Sequence, residues 1–144
     1  MLVHQILRSK GSDKVVTTRP DTSISDVTRL LAEHKIGGVV VSSDGTHASG
    51  ILSERDIVRA LSTRGPACLS ETAATLMTPD PVCCGRDDSA DTVLARMTDG
   101  RFRHMPVVSD GALVGIVTIG DVVKARLTEL SREKSALEDM IKGH

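Results

Sequence analysis

The chain has 144 residues, 40% apolar and 26% charged, with a formal net charge of −1, which suits one compact domain or a pair of half-domains with a proper core. Near-neutral charge gives no field that would favour DNA or a membrane surface, and Phe102 as the sole aromatic besides histidine leaves no platforms for stacking bases. No apolar run approaches the roughly 18–20 residues of a bilayer span, Met1–Lys10 does not read as a signal peptide, and Cys68, Cys83 and Cys84 lack disulfide-scaffold spacing, as expected in a reducing cytoplasm.

Leu2, Val3, Ile6 and Leu7 have helical spacing and predict a short leading helix that stops near Gly11. Lys14–Thr18 reads as a short strand. Ser23 is an expected N-cap, followed by the helical stripe Ile24, Val27, Leu30 and Leu31 up to His34-Lys35. Gly38–Ser42 carries three valines and predicts a buried strand; Ser43-Asp44-Gly45 has hairpin chemistry, and Ser49–Leu52 is the return strand. Ser53 caps a helix expected through Leu61. Thr63–Ser70 is the expected linker, and Thr72–Met77 a helical turn that mirrors the leading helix. The same order then recurs: a first strand around Val82-Cys83-Cys84, a helix over Ser89–Gly100, a strand over Met105–Val108, a tight turn at Ser109-Asp110-Gly111, a strand over Leu113–Val117 and a helix from Thr118. The last helix meets no breaker as far as Lys142. Its residues Val123, Leu127, Leu130, Lys134, Leu137 and Ile141 form a heptad seam with one polar member. This seam either lies on its own domain or packs against another subunit.

The recurrence is an internal repeat. Gly50-Ile51-Leu52-Ser53-Glu54-Arg55-Asp56 is answered 65 positions later by Gly115-Ile116-Val117-Thr118-Ile119-Gly120-Asp121. Upstream, Val16, Asp21, Val27 and Leu31 match Val82, Asp87, Val93 and Met97 at a shift of 66, with one extra residue in the first copy between Gly45 and Gly50. Two such units are expected to bury their apolar faces against each other and to form two quasi-equivalent sites.

The paired β-α-β-β-α units, each closing with Gly, two aliphatics, Ser or Thr, two variable residues and Asp, resemble the cystathionine-β-synthase (CBS) domain family in its tandem form. The resemblance covers Val15 to Leu127. Besides the two closing motifs, its most specific pieces are Lys35-Ile36-Gly37-Gly38 and Arg101-Phe102-Arg103-His104-Met105-Pro106-Val107. It implies a mixed α/β (α+β) fold of two repeats packed face to face with pseudo-two-fold symmetry, plus a long C-terminal helix. The expected spans are 1–70 for the leading helix and first repeat, 71–127 for the second repeat and 128–144 for the extension. Nothing else in the sequence suggests an attached catalytic domain, so a stand-alone pair is expected. The resemblance further implies disc-like homodimers and an adenosine ligand in the cleft between repeats: AMP first, with ADP, ATP, NAD or S-adenosylmethionine as alternatives. The expected nucleotide-binding residues in the first copy are Thr17, Ile36, Gly37, Gly38, Val39, Ser53, Arg55 and Asp56. In the second they are Cys83, Arg101, Phe102, Arg103, His104, Met105, Pro106, Thr118, Ile119, Gly120 and Asp121.

The residue types suit that chemistry. Asp56 and Asp121 each fall in the first turn of a helix, where a carboxylate can accept both hydroxyls of a ribose. Ser53 and Thr118 bring a hydroxyl and free backbone N–H groups near a phosphate. Gly37-Gly38 allows close approach of main chain to a flat base, with Ile36, Val39, Ile51 and Leu52 as apolar walls. Lys35, Arg55, Arg59, Arg101, Arg103, His104 and Lys124 concentrate positive charge near the same loops, and arginine forks suit phosphate oxygens. Gly37-Gly38 corresponds to Arg103-His104, so the two sites are not expected to be equal. The bland alternative is that both acids are only N-cap partners, stabilised by the helix dipole.

Other readings are weaker. His4, His34, His47, His104, His144 and the cysteines show no metal-ligand spacing. A hydrolase built on Ser53, Asp56 and a histidine finds threonine in place of the serine in the second copy, and no histidine common to both copies. A homodimeric assembly module with unoccupied clefts remains open. The downstream protein target is not encoded in any readable motif.

Overall fold

The computed structural model describes residues 1–11 and 15–143. The expected strand start at Lys14, and His144, lie outside these. In chain order the elements are α1 (Val3–Ser9), β1 (Thr17–Thr18), α2 (Ile24–His34), β2 (Gly38–Val41), β3 (Gly50–Ser53), α3 (Glu54–Arg64), a 3-10 turn (Pro66–Ser70), α4 (Ala73–Leu76), β4 (Thr78–Pro79), α5 (Ala90–Gly100), β5 (His104–Ser109), β6 (Ala112–Thr118) and α6 (Ile119–Ile141).

Local chemistry sets the helix limits. Ser23 and Ser89 accept hydrogen bonds from Asp26 N and Thr92 N at the starts of α2 and α5. The apolar stripes Ile24, Val27, Leu31 and Ala90, Val93, Met97 are buried. Both helices end in a left-handed residue that is not glycine: Lys35 at φ 54° and Arg101 at φ 57°. These are counterparts in the two repeats, and each turns the chain sharply into the strand behind it. Helix α3 continues to Arg64, past the expected end at Leu61, and much of the expected linker is a 3-10 turn.

The first sheet has the order β1-β2-β3-β4, with β1 parallel to β2 and the other pairs antiparallel; β5 and β6 form the second sheet. The expected first strand of the second repeat is reduced to one parallel bridge, Cys84 with Val107. Cys84 N donates to Pro106 O at 3.0 Å and Val108 N to Cys84 O at 2.8 Å, the latter matching Ser42 N to Thr18 O at 2.8 Å in the first repeat. The Asp110-Gly111 turn has both residues at positive φ, 52° and 77°, as a two-residue hairpin requires.

Two cores result. Ile24, Val27, Leu31, Val39, Val41, Leu52, Ile57 and Ala73 form one; Val3, Ile6, Cys84, Ala90, Val93, Met97, Met105, Val107, Val117, Val122 and Ala125 form the other. The short helices are exchanged. Helix α1 opens the chain but packs into the core of the second repeat, and α4 packs into the first, so sequence order and packing do not coincide across residues 1–70. Matching hydrogen bonds fasten both: Val3 N to Asp88 O at 2.9 Å answers Ala73 N to Thr22 O at 2.8 Å, and Ala90 N to Met1 O at 2.9 Å answers Ile24 N to Glu71 O at 2.9 Å. Glycines admit the two helices. A Cβ on Gly115 would lie 2.8 Å from Leu7 Cδ2, and one on Gly50 would overlap the Met77 side chain.

Helix α6 buries Val122 and Ala125 on its own domain. The heptad seam faces the other way: Val123, Leu127, Leu130, Leu137 and Ile141 are 42%, 62%, 49%, 59% and 85% exposed. Within the chain, the seam therefore does not lie on its own domain.

Candidate functional site

Two clefts open between the repeats, each beside one closing motif. The Asp56 cleft, about 330 Å³, is lined by Ile51, Ser53, Glu54, Arg55, Asp56 and Arg59 from the β3–α3 junction. Facing them are Thr78, Asp80, Pro81 and Val82, and then Gly100, Arg101, Phe102, Arg103 and His104. The Asp121 cleft, about 470 Å³, is lined by Val114, Gly115, Ile116, Thr118 and Asp121, by Leu7 and Lys10 of the leading segment, and by Val15, Val16, His34, Lys35, Ile36, Gly37, Gly38 and His104. Both volumes fall within the roughly 300–1,000 Å³ of small-molecule sites. Gly37 and His104 border both clefts.

The two acids are held alike by their helix starts. Asp56 Oδ2 accepts from Ser53 N at 2.9 Å and Ser53 Oγ at 3.0 Å. Asp121 Oδ2 accepts from Thr118 N at 2.9 Å. In return, Ser53 Oγ accepts from Asp56 N and Thr118 Oγ1 from Asp121 N, so each helix opens with a reciprocal capping box. The cap engages Oδ2. The Oδ1 atom of each acid has no hydrogen-bond partner among the described residues. Capping thus leaves one carboxylate oxygen of each aspartate available.

The surroundings differ. Lys10 Nζ sits 2.8 Å from Asp121 Oδ2 and also donates to Ile116 O at 3.0 Å. Burial works against ionisation of Asp121, but the Lys10 hydrogen bond and the Thr118 contacts outweigh it and hold its pKa below the usual carboxylate value. Asp56 has no such cation among the described residues. Its cleft instead holds Arg55, Arg59, Arg101 and Arg103, none of them ion-paired among the described residues.

His104 lies against Gly38, and burial lowers its pKa below the ordinary histidine value, with Glu54 opposing the shift. The space expected for a base at Gly38 is thus bounded by a side chain of the other repeat. Gly37 O accepts from Glu54 N at 2.9 Å, as its counterpart Arg103 O does from Ile119 N at 2.9 Å.

Ile36, Gly37, Gly38, Ser53, Arg55, Asp56, Arg101, Phe102, Arg103, His104, Thr118 and Asp121 are therefore brought to the clefts. Val39 and Met105 are not; both are completely buried in the cores, as is Leu52, because alternate strand residues point inward. Thr17, Cys83, Pro106, Ile119 and Gly120 line neither cleft. Cys83 donates to Pro81 O, and burial raises both cysteine thiols, Cys84 to about 12, so neither is a ready thiolate. Lys10, Val15, Val16, Thr78 and Asp80 went unrecognised at the sequence level. The repeat register held a signal for some of them: Val16 and Val82 are counterparts, and each lies across from the motif of the other repeat. Among the described residues, no three His, Cys, Asp or Glu side chains converge where they could hold a metal ion. Among the described residues, no helix is long and apolar enough to cross a membrane.

The CBS domain profile matches residues 6–63 and 73–128. A CBS-domain containing protein from Agrobacterium tumefaciens is 43% identical, with a TM-score of 0.83 over 88% of this chain and 99% of that one. A CBS domain protein from Pyrobaculum aerophilum, solved in complex with AMP, is 26% identical with a TM-score of 0.77 over 92% and 99%. The CBS domain pair of protein MJ0100, solved with 5′-methylthioadenosine and S-adenosyl-L-methionine, is 26% identical with a TM-score of 0.78 over 90% and 98%. With two repeats in register, exchanged helices and a cleft at each closing motif, the chain belongs to the CBS domain family as a tandem pair.

Proposed function

We propose that the protein is a non-catalytic regulatory module that binds an adenine nucleotide in the clefts between its repeats and passes occupancy on as a change of shape or association. The observation that carries this reading is the Asp56 cleft. Four arginines that have no carboxylate partner among the described residues stand beside an aspartate with one oxygen uncommitted to any of them. The arginines suit phosphate, and the aspartate suits a ribose diol. Thr118, Asp121 and the Ile36–Gly38 segment supply the second site. AMP is the favoured ligand, with ADP, ATP or NAD as alternatives; the basic cleft disfavours the cationic S-adenosylmethionine. Complexes of similar pairs with AMP, and with 5′-methylthioadenosine and S-adenosyl-L-methionine, support an adenosine ligand. The three free cysteines suit a cytoplasmic setting.

The exposed seam of α6 supports a second reading, a homodimeric assembly module whose clefts stay empty. The two readings part in one experiment. Calorimetry with AMP, ADP, ATP, NAD, S-adenosylmethionine and GMP gives saturable binding of at least one adenine nucleotide if the protein is a sensor. No heat from any of them at millimolar concentration leaves the assembly module.

A further inference from the structure

Resting on the reading of the clefts as nucleotide sites, we propose that Lys10 makes the Asp121 cleft selective for adenosine ligands with an anionic 5′ group, by exchanging Asp121 for that anion. The two closing motifs are nearly identical, yet only one of their acids carries an ion-pair partner among the described residues. Asp121 carries Lys10 at 2.8 Å, whereas no cation is paired with Asp56 among the described residues. Counting from the matched pair Leu7 and Met77, the position of Lys10 falls on Asp80, after α4 has already given way to β4. In sequence register, one repeat thus has a lysine where the other has an aspartate.

This difference acts on ligand entry. A ribose diol gains most from a carboxylate whose two oxygens are both free to accept. At Asp121, Thr118 N and Lys10 Nζ already occupy Oδ2. A ribose that takes both oxygens must draw Lys10 away, leaving an ammonium whose one remaining protein partner among the described residues is the Ile116 carbonyl. An uncharged nucleoside offers nothing in exchange, so it binds against that cost. A 5′-phosphate re-partners the ammonium with a charge-assisted bond of the same kind. A ligand with a 5′ sulfonium adds a second cation and is disfavoured.

The side chain has somewhere to go, and its base is fixed. Helix α1 is anchored by buried Val3 and Ile6 and by Leu7 against Gly115, so only the flexible lysine stem has to move. Lys10 also borders a groove of about 520 Å³ between α1 and α6. That groove holds Lys124 and Arg132, neither ion-paired among the described residues, and Asp121 is the one acid among the described residues that line it. An anion drawn to Lys10 enters a positive field.

The test uses the full chain with Asp56→Asn to silence the other cleft, titrated calorimetrically with adenosine and with AMP. AMP is expected to bind at least about tenfold more tightly than adenosine. Adding Lys10→Met should reduce that ratio to about threefold or less, tightening adenosine and weakening AMP, while Lys10→Arg keeps it. An unchanged ratio in Lys10→Met, or weaker adenosine binding, overturns the exchange. If the Asp56→Asn protein binds neither ligand while Asp121→Asn still binds AMP, the exchange falls and the proposed function stands on the Asp56 cleft alone. Wild-type protein that binds neither defeats the function itself.

Discussion

The imidazole of His104 occupies the place where residue 38 would carry its side chain: its ring atoms lie 2.9–3.0 Å from the point a Cβ on Gly38 would take. The two residues are counterparts in the repeats, 66 positions apart. A pseudo-two-fold axis brings such counterparts close together, and there is room for one ring. The second repeat supplies it and the first gives way. This contact forms part of the wall between the clefts, so it is both a packing feature and a source of inequality between the sites.

Gly38→Ala should therefore destabilise the fold by about 1–3 kcal/mol, as overpacking does. Adding His104→Ala should recover most of the loss, because the clash needs both partners. Denaturant titration of the two single variants and the double variant checks this. Additive losses would show that the alanine acts elsewhere.

The same contact predicts a pH dependence. Burial depresses the His104 pKa in the folded state, against attraction from Glu54, Asp121 and Asp56 and with help from Lys10. Below the unfolded value of about 6.5, the unfolded chain binds the proton more readily than the folded one. The His104 contribution to stability is thus full above that value and is lost as pH falls towards the depressed folded value. Asp121, also depressed, acts lower: its contribution is present above the unfolded value of 3.8 and lost as pH falls through the folded one. Melting temperatures between pH 7.5 and about pH 5 should decline in the wild type and decline less in His104→Gln. Parallel profiles for the two proteins would remove His104 as the cause.

Asp56→Asn retains a side-chain oxygen for the cap but loses the charge. AMP affinity at that cleft should fall by about 1.5–3 kcal/mol, or roughly 10- to 150-fold, with a smaller change in stability. Titrations that match wild type would leave Asp56 as a helix cap only.

Arg103→Ala should separate phosphate from base. Measured with Asp121→Asn to silence the other cleft, its affinity for AMP should fall by about tenfold or more while adenosine binding barely changes. Equal losses for both ligands would mean that Arg103 shapes the cleft rather than meeting the phosphate.

The exposed seam of α6 predicts a homodimer. Truncation after Leu130 removes Leu137, Met140 and Ile141 but keeps Val122 and Ala125 in their core and the contact of Glu129 with the N-terminus. Leu127→Glu adds a charge to the seam without shortening the helix. Both changes should raise the dimer dissociation constant in sedimentation equilibrium and leave the repeats folded. A monomeric wild type, or a dimer indifferent to both changes, would show that the seam has another use.

Much of this protein is legible in its sequence because much of it is local or repeated. Ser23, Ser53, Ser89 and Thr118 cap their helices where their spacing to the next polar residue places them, since a cap is settled within one turn. Two copies in register made Asp56 and Asp121 visible together as cleft residues. Long-range packing decided the rest. Nothing in residues 1–10 alone says that α1 crosses to the second core, or that Lys10 reaches Asp121 more than a hundred positions away. The contact exists because Gly115 leaves room for Leu7. Val39 and Met105 look like site residues by proximity, yet strand alternation turns them inward. The heptad seam was periodic enough to mark an apolar stripe, but only the seating of Val122 and Ala125 decided which face of the helix was left in water. Hydrophobic periodicity fixes which residues share a face, whereas the partner of that face is chosen by segments distant in the chain.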